Sequence, residues 1–116
     1  MAAVATTDVT RVSNYEVGDR YGRRIEEVKI YDIVLTANGN TADDIPATLF
    51  GFTTINWVQC VRALDNAGTP LLAVLMPVVE ADGAGFLICD PETSTDANRG
   101  HPAAYTGTIR VRMGGV

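Results

Sequence analysis

The chain has 116 residues, 47% of them hydrophobic and 20% charged, with a formal net charge of −5. That is material for one domain with one core, and too apolar for a disordered segment. No apolar run approaches the ~20 residues that cross a bilayer, and the acid excess argues against nucleic acid, whose phosphates need clustered positive charge.

The charge is unevenly laid out. Acids and bases balance from Met1 to Ile30, whereas Tyr31 to Ala97 sets nine acids against Arg62 alone. Arg99, Arg110 and Arg112 make the tail basic. Eight of the nine basic residues are Arg, the usual choice for planar pairing at protein interfaces. The opening residues lack the basic start and apolar stretch of a secretion leader, which predicts a protein made in a cytosol.

Residues 1–24 read as an N-terminal arm, partly disordered over Met1 to Thr7 or docked on a neighbour, ahead of a single β domain at 25–116. Tyr15, Val17 and Tyr21, with Arg23 and Arg24, are the arm's candidate interface residues. Ile25 to Thr36 predicts the first strand of the domain. Val28, Ile30 and Val34 fall on one alternation, with Tyr31, Ile33 and Leu35 on the other. Asn38-Gly39 is turn chemistry. A short helical turn is expected from Pro46 to Gly51, with Asp44 as its cap.

Thr54 to Leu64 predicts a strand covered on both sides, with Ile55, Trp57 and Val61 sharing one face. Asp65-Asn66-Ala67-Gly68 is a turn, and Pro70 to Val79 an apolar strand. Asp82-Gly83 then signals a hairpin into Gly85 to Cys89. A loop from Asp90 to Ala103 leads to the last strand, where Tyr105, Gly107, Ile109, Val111 and Met113 alternate with Thr106, Thr108, Arg110 and Arg112. Short strands, frequent turns and scarce helix predict an all-β fold, a small antiparallel β-sandwich or barrel-like domain with an extended N-terminal arm.

No catalytic set emerges, so no enzyme is expected. His101 is the only histidine, and neither Cys60 nor Cys89 has a nucleophile's context. Both cysteines sit in apolar segments and read as buried, reduced thiols. Asp90, Glu92 and Asp96 share a loop without calcium-loop spacing, and no zinc ligand spacing exists, so no metal or cofactor is expected. Adjacent acids at Glu26-Glu27 and Asp43-Asp44 point to opposite sides of an extended chain. Gly83-Ala84-Gly85 and Gly114-Gly115 precede no helix and serve a hairpin and a terminus. Leu49, Phe50, Phe52 and Trp57 read as core anchors, or in part as a contact patch.

The block Thr41-Ala42-Asp43-Asp44-Ile45-Pro46-Ala47, the Phe50-Gly51-Phe52 step into Ile55 and the terminal Gly107-Thr108-Ile109-Arg110-Val111-Arg112 strand carry a resemblance. From about Ile25 onward the sequence resembles small structural proteins of tailed bacteriophages, especially head decoration or cement proteins. The resemblance implies a virion protein, made in the host cytoplasm and bound to the outer capsid surface as trimers that brace adjacent major capsid subunits. A phage tail or neck component looks similar at this level. A carbohydrate- or host-surface-binding β module is the alternative from another class. Arg110 and Arg112, alternating with the apolar side of the last strand, are the remaining candidates for contacts with a second copy.

Overall fold

A computed structural model describes residues 3–18, 21–22, 24–36, 44–70, 76–89 and 106–116, with Arg24 and Cys89 by their backbone. Among the described residues seven strands run in chain order: β1 (Val9–Gly18), β2 (Arg24–Leu35), β3 (Ile45–Pro46), β4 (Ile55–Asp65), β5 (Met76–Val79), β6 (Gly85–Cys89) and β7 (Gly107–Gly115). They form two antiparallel sheets, a four-stranded one in the order β1-β2-β7-β4 and a three-stranded one in the order β3-β6-β5. The fold is all-β, with the small sheet packed on one face of the large one.

Alternation explains which face is which. On β2, Tyr31, Ile33 and Leu35 pair with Val111, Ile109 and Gly107, and these six share the inner face. Ile33, Leu35, Ile109, Val111 and Met113 are fully buried there. The small sheet answers with Ile45, Phe86 and Ile88. Between the layers the Phe50 ring stacks on Phe86 at 6.0 Å and takes Tyr31 edge-on at 4.9 Å. Removing a buried Phe of this kind typically costs ~3–5 kcal/mol.

A 3-10 turn at Ala47–Phe50 carries the chain back from the small sheet toward β4. It ends as expected at Gly51, whose φ of 76° suits a residue without Cβ. Its start differs from expectation. Pro46 stands at the cap position with no side-chain bond, and Asp44 instead hydrogen-bonds Glu80. The far end is held by Lys29 of β2. Its ammonium donates to the Phe50 carbonyl at 2.5 Å and lies 4.6 Å from the centre of the Phe52 ring, with a Glu27 oxygen at 3.7 Å. Lys29 is 9% exposed, so the single lysine of the chain is an interior residue.

The turns at Asp65–Gly68 and Asp82-Gly83 form as read. Asp65 Oδ1 accepts from the Ala67 and Thr69 amides, and the Gly83 amide closes on the Glu80 carbonyl at 3.0 Å. Asn38-Gly39, residues 71–75, the loop from Asp90 to Ala103 and Tyr105 lie outside the described residues, so β5 is described only from Met76.

The N-terminal segment departs from the expected arm. Val9–Gly18 is a strand of the large sheet, hydrogen-bonded along β2 from Val9↔Ile33 to Gly18↔Arg24. Val4, expected in a disordered stretch, is 9% exposed and part of the core. Weakly apolar residues conceal this, because β1 gains its place from backbone pairing and buries almost no side chain.

Lys29→Ala leaves the buried Phe50 carbonyl without its donor and is expected to destabilise the domain by about 1.5–3 kcal/mol. The urea midpoint at pH 7 reads this, with circular dichroism confirming that the variant retains its strands; an unchanged midpoint would show that the contact contributes nothing.

Candidate interface on the open sheet face

The outer face of the four-stranded sheet carries no second layer of described residues. Its side chains are set by register. Arg112 pairs across to Ile30 and Gln59, Arg110 to Asp32 and Arg62, and Gly114 to Val28 and Trp57. Tyr15 on β1 continues that last row beyond Val28.

Two bulges decide what β4 contributes. Ile55 pairs with Gly115 and Trp57 with Gly114, so Asn56 is an extra residue. Ile55 therefore turns into the core while Trp57 turns outward, contrary to the shared face expected for them. A second bulge between Cys60 and Arg62 keeps Val58, Cys60 and Ala63 against the core. The strand is covered on one side only, and Val61 is 55% exposed.

Trp57 is thus half-buried on the outer face, while Phe50 and Phe52 are core. Its indole lies on Gly114, where a Cβ would come within 2.3 Å of Nε1. Gly114 and Gly115 therefore belong to a strand that needs their flatness, beyond serving a terminus. The indole N–H donates to Glu26 at 2.9 Å, and Asn56 donates to the other Glu26 oxygen at 3.3 Å.

Arg112 lies between two rings, its guanidinium 5.4 Å from the Trp57 ring centre and 5.8 Å from that of Tyr15. Its Nε donates to the Tyr15 hydroxyl at 3.1 Å, as does one terminal nitrogen. The row covers Val28, which is 1% exposed although it faces away from the main core. A second, small apolar cluster therefore exists on this face.

Arg110 makes a two-pronged pair with Asp32 at 2.8 and 2.9 Å, and Arg62 approaches the same carboxylate at 4.0 Å. The Arg110 hydrogen bonds, aided by the positive charge of Arg110 and Arg62, hold the Asp32 carboxyl below its usual range despite partial burial. Both candidate arginines of β7 thus face outward as the alternation requires, yet each first engages its own chain. Sequence reading missed Asp32, Glu26 and Gly114 as their supports, because cross-strand neighbours are visible only once register is known.

Of the other candidates, Tyr15 and Val17 are 40% and 39% exposed, and Tyr21, in the β1–β2 connection, is 68% exposed. Arg24 begins β2 opposite Gly18, and Arg23 lies outside the described residues. So do His101, Asp43 and the Asp90, Glu92, Asp96 loop. Cys60 is free and half-buried, and burial pushes its thiol up. Glu80 is pushed up by its hydrogen bond with Asp44, then by burial and by the Asp44 and Asp82 charges. Among the described residues no group of three His, Cys, Asp or Glu is placed to hold a metal ion, and no helix is long and apolar enough to cross a membrane.

No family model, curated protein or solved structure matches this chain.

The pairing of Asp32 has a pH signature. Because its folded value lies below the ordinary ~3.9, the pairing stabilises in full above that value. As pH falls from there toward the folded value, the unfolded chain takes up the proton first and stability declines. Asp32→Asn is therefore expected to lower the urea midpoint at pH 7, with the gap to wild type shrinking toward pH 3. A gap that stays constant across that range would show that the ionised pair adds no stability.

Proposed function

We propose that the chain is a structural protein of a phage particle, adhering to the outer capsid surface and bracing adjacent major capsid subunits without catalysing a reaction. The observation that carries this reading is the open sheet face. It presents Trp57, Tyr15 and three arginines beside exposed Val34, the composition that interface hot spots favour. The phage-like layout of the sequence supplies the partner class. Binding the assembled shell and not its free subunits stabilises the shell by mass action, and repetition multiplies a weak contact.

A carbohydrate-binding reading is favoured by one feature, the presence of Trp57 and Tyr15 on the same open face. Arg112 lies between the two rings, which supports a protein contact over a stacked sugar.

The test uses purified heads lacking the protein. Saturable co-sedimentation of the intact chain with heads is expected. Val34→Glu, at an exposed position of this face, should weaken it by about ten-fold or more, because a carboxylate taken into an interface without a partner is costly. The melting temperature should stay near wild type. Binding to tails alone would move the protein to the tail or neck, and retention on a glycan array with no particle binding would favour the carbohydrate reading.

A further inference from the structure

We propose that β1 is a self-association edge, and that two copies pair β1 to β1, antiparallel, around Asn14. The inference is independent of what the open face binds, since it uses the rim of the sheet.

The motivating anomaly is the exposure of β1. Nine of its ten residues are exposed and only Val9 is partly buried. Fixing a residue's backbone costs about 1–2 kcal/mol, and here hardly any burial offsets it. β1 is also the end strand of its sheet, so among the described residues no strand pairs with its outer edge. A long edge exposing Val12, Tyr15 and Val17 is a template for another strand.

The sequence of β1 says which strand fits. Arg11 pairs with Tyr31 and Ser13 with Ile30, so the bulge Val12–Ser13 occupies a single position opposite β2. With the bulge counted once, Asn14 is the middle of the pattern. An antiparallel second copy centred there sets Asn14 against Asn14 and Tyr15 against the bulge. Arg11 then meets the partner's Glu16, and Thr10 meets Val17. The faces agree: Arg11, Asn14 and Glu16 pair with Tyr31, Lys29 and Glu27 on the inner side of β2, whereas Thr10, Tyr15 and Val17 pair with Asp32, Val28 and Glu26 on the outer side.

Charges on an edge strand ordinarily discourage pairing. These two are of opposite sign and equidistant from the centre, so in this register they attract, twice per dimer. A parallel copy or a copy slipped by one residue loses both pairs and puts side chains on the wrong faces. The result is a two-fold dimer with a continuous eight-stranded sheet, in place of the trimer that the phage resemblance implies.

Sedimentation equilibrium over a micromolar concentration series tests this with the full chain. Wild type should fit a monomer–dimer equilibrium. Arg11→Glu or Glu16→Arg places like charges opposite each other at both ends of the contact. Each alone should weaken dimerisation by roughly ten- to a hundred-fold. Mixing the two variants should restore association as a heterodimer, because each then supplies the sign that the other lacks. The double variant Arg11→Glu/Glu16→Arg should dimerise with itself.

Wild type that is monomeric throughout, or trimeric, overturns the proposal. So does a dimer indifferent to the single changes, or single variants that fail to recover on mixing. Head co-sedimentation separates the two readings: a dimer that ignores heads removes the capsid role alone, and a monomer that binds heads removes the β1 pairing alone.

Discussion

The domain is organised around a buried ammonium. Lys29 stands on the inner face of β2 between Glu27 and Tyr31, and its charge is met by the Phe50 carbonyl and the Phe52 ring. A charge taken out of water is tolerated only when hydrogen-bonded or paired. Here the partner is the end of the 3-10 turn through which the chain returns from the small sheet to the large one. The same contact fixes where the turn stops and sets the Phe50 ring between Tyr31 and Phe86. The approach at Gly51 is close enough that a Cβ there would stand 3.0 Å from the ammonium. An arginine would bring a planar fork too broad for one carbonyl beside that turn.

With the turn fixed, β4 starts at Ile55, and its two bulges divide the strand between core and surface. The first is satisfied by chemistry as well as geometry, since Asn56 and Trp57 both donate to Glu26 across the sheet. That carboxylate sits at the edge of a patch where Trp57 rests on Gly114 and Arg112 spans toward Tyr15. β1 is thereby tied to the rest of the sheet by Tyr15 as well as by its backbone. Strand order places Arg112 in an interior strand, between β2 and β4, so its side chain can reach partners on either side.

Much of the fold was legible before the structure. The β7 alternation, the two faces of β2 and the Asp82-Gly83 hairpin follow from period and turn chemistry, which are local properties. Bulges are not legible in the same way. An extra residue at Asn56 leaves no mark in composition, and it was enough to move Trp57 from the core to the surface. The same holds for β1, whose residues carry little apolar signal because the strand is held by hydrogen bonds to β2. Asp32 escaped notice for a third reason: an acid is ordinary on a strand until a neighbour 78 residues away is placed beside it.

The patch on the open face also shows how a folded surface can be ordered in advance of binding. A long side chain immobilised at an interface costs about 0.5–1.5 kcal/mol in lost freedom, a cost charged against affinity when it is incurred on contact. Arg112 is already ordered by the two rings and by the Tyr15 hydroxyl, and Arg110 by both oxygens of Asp32. Their ordering belongs to folding, where Val28 is covered in return. What remains exposed is aromatic edge and aliphatic surface beside charges whose direction is fixed. Such a surface gains little by rearranging around a partner and loses little on meeting one. That suits a contact repeated many times over a regular lattice, where each copy contributes modestly and a uniform geometry matters more than individual strength.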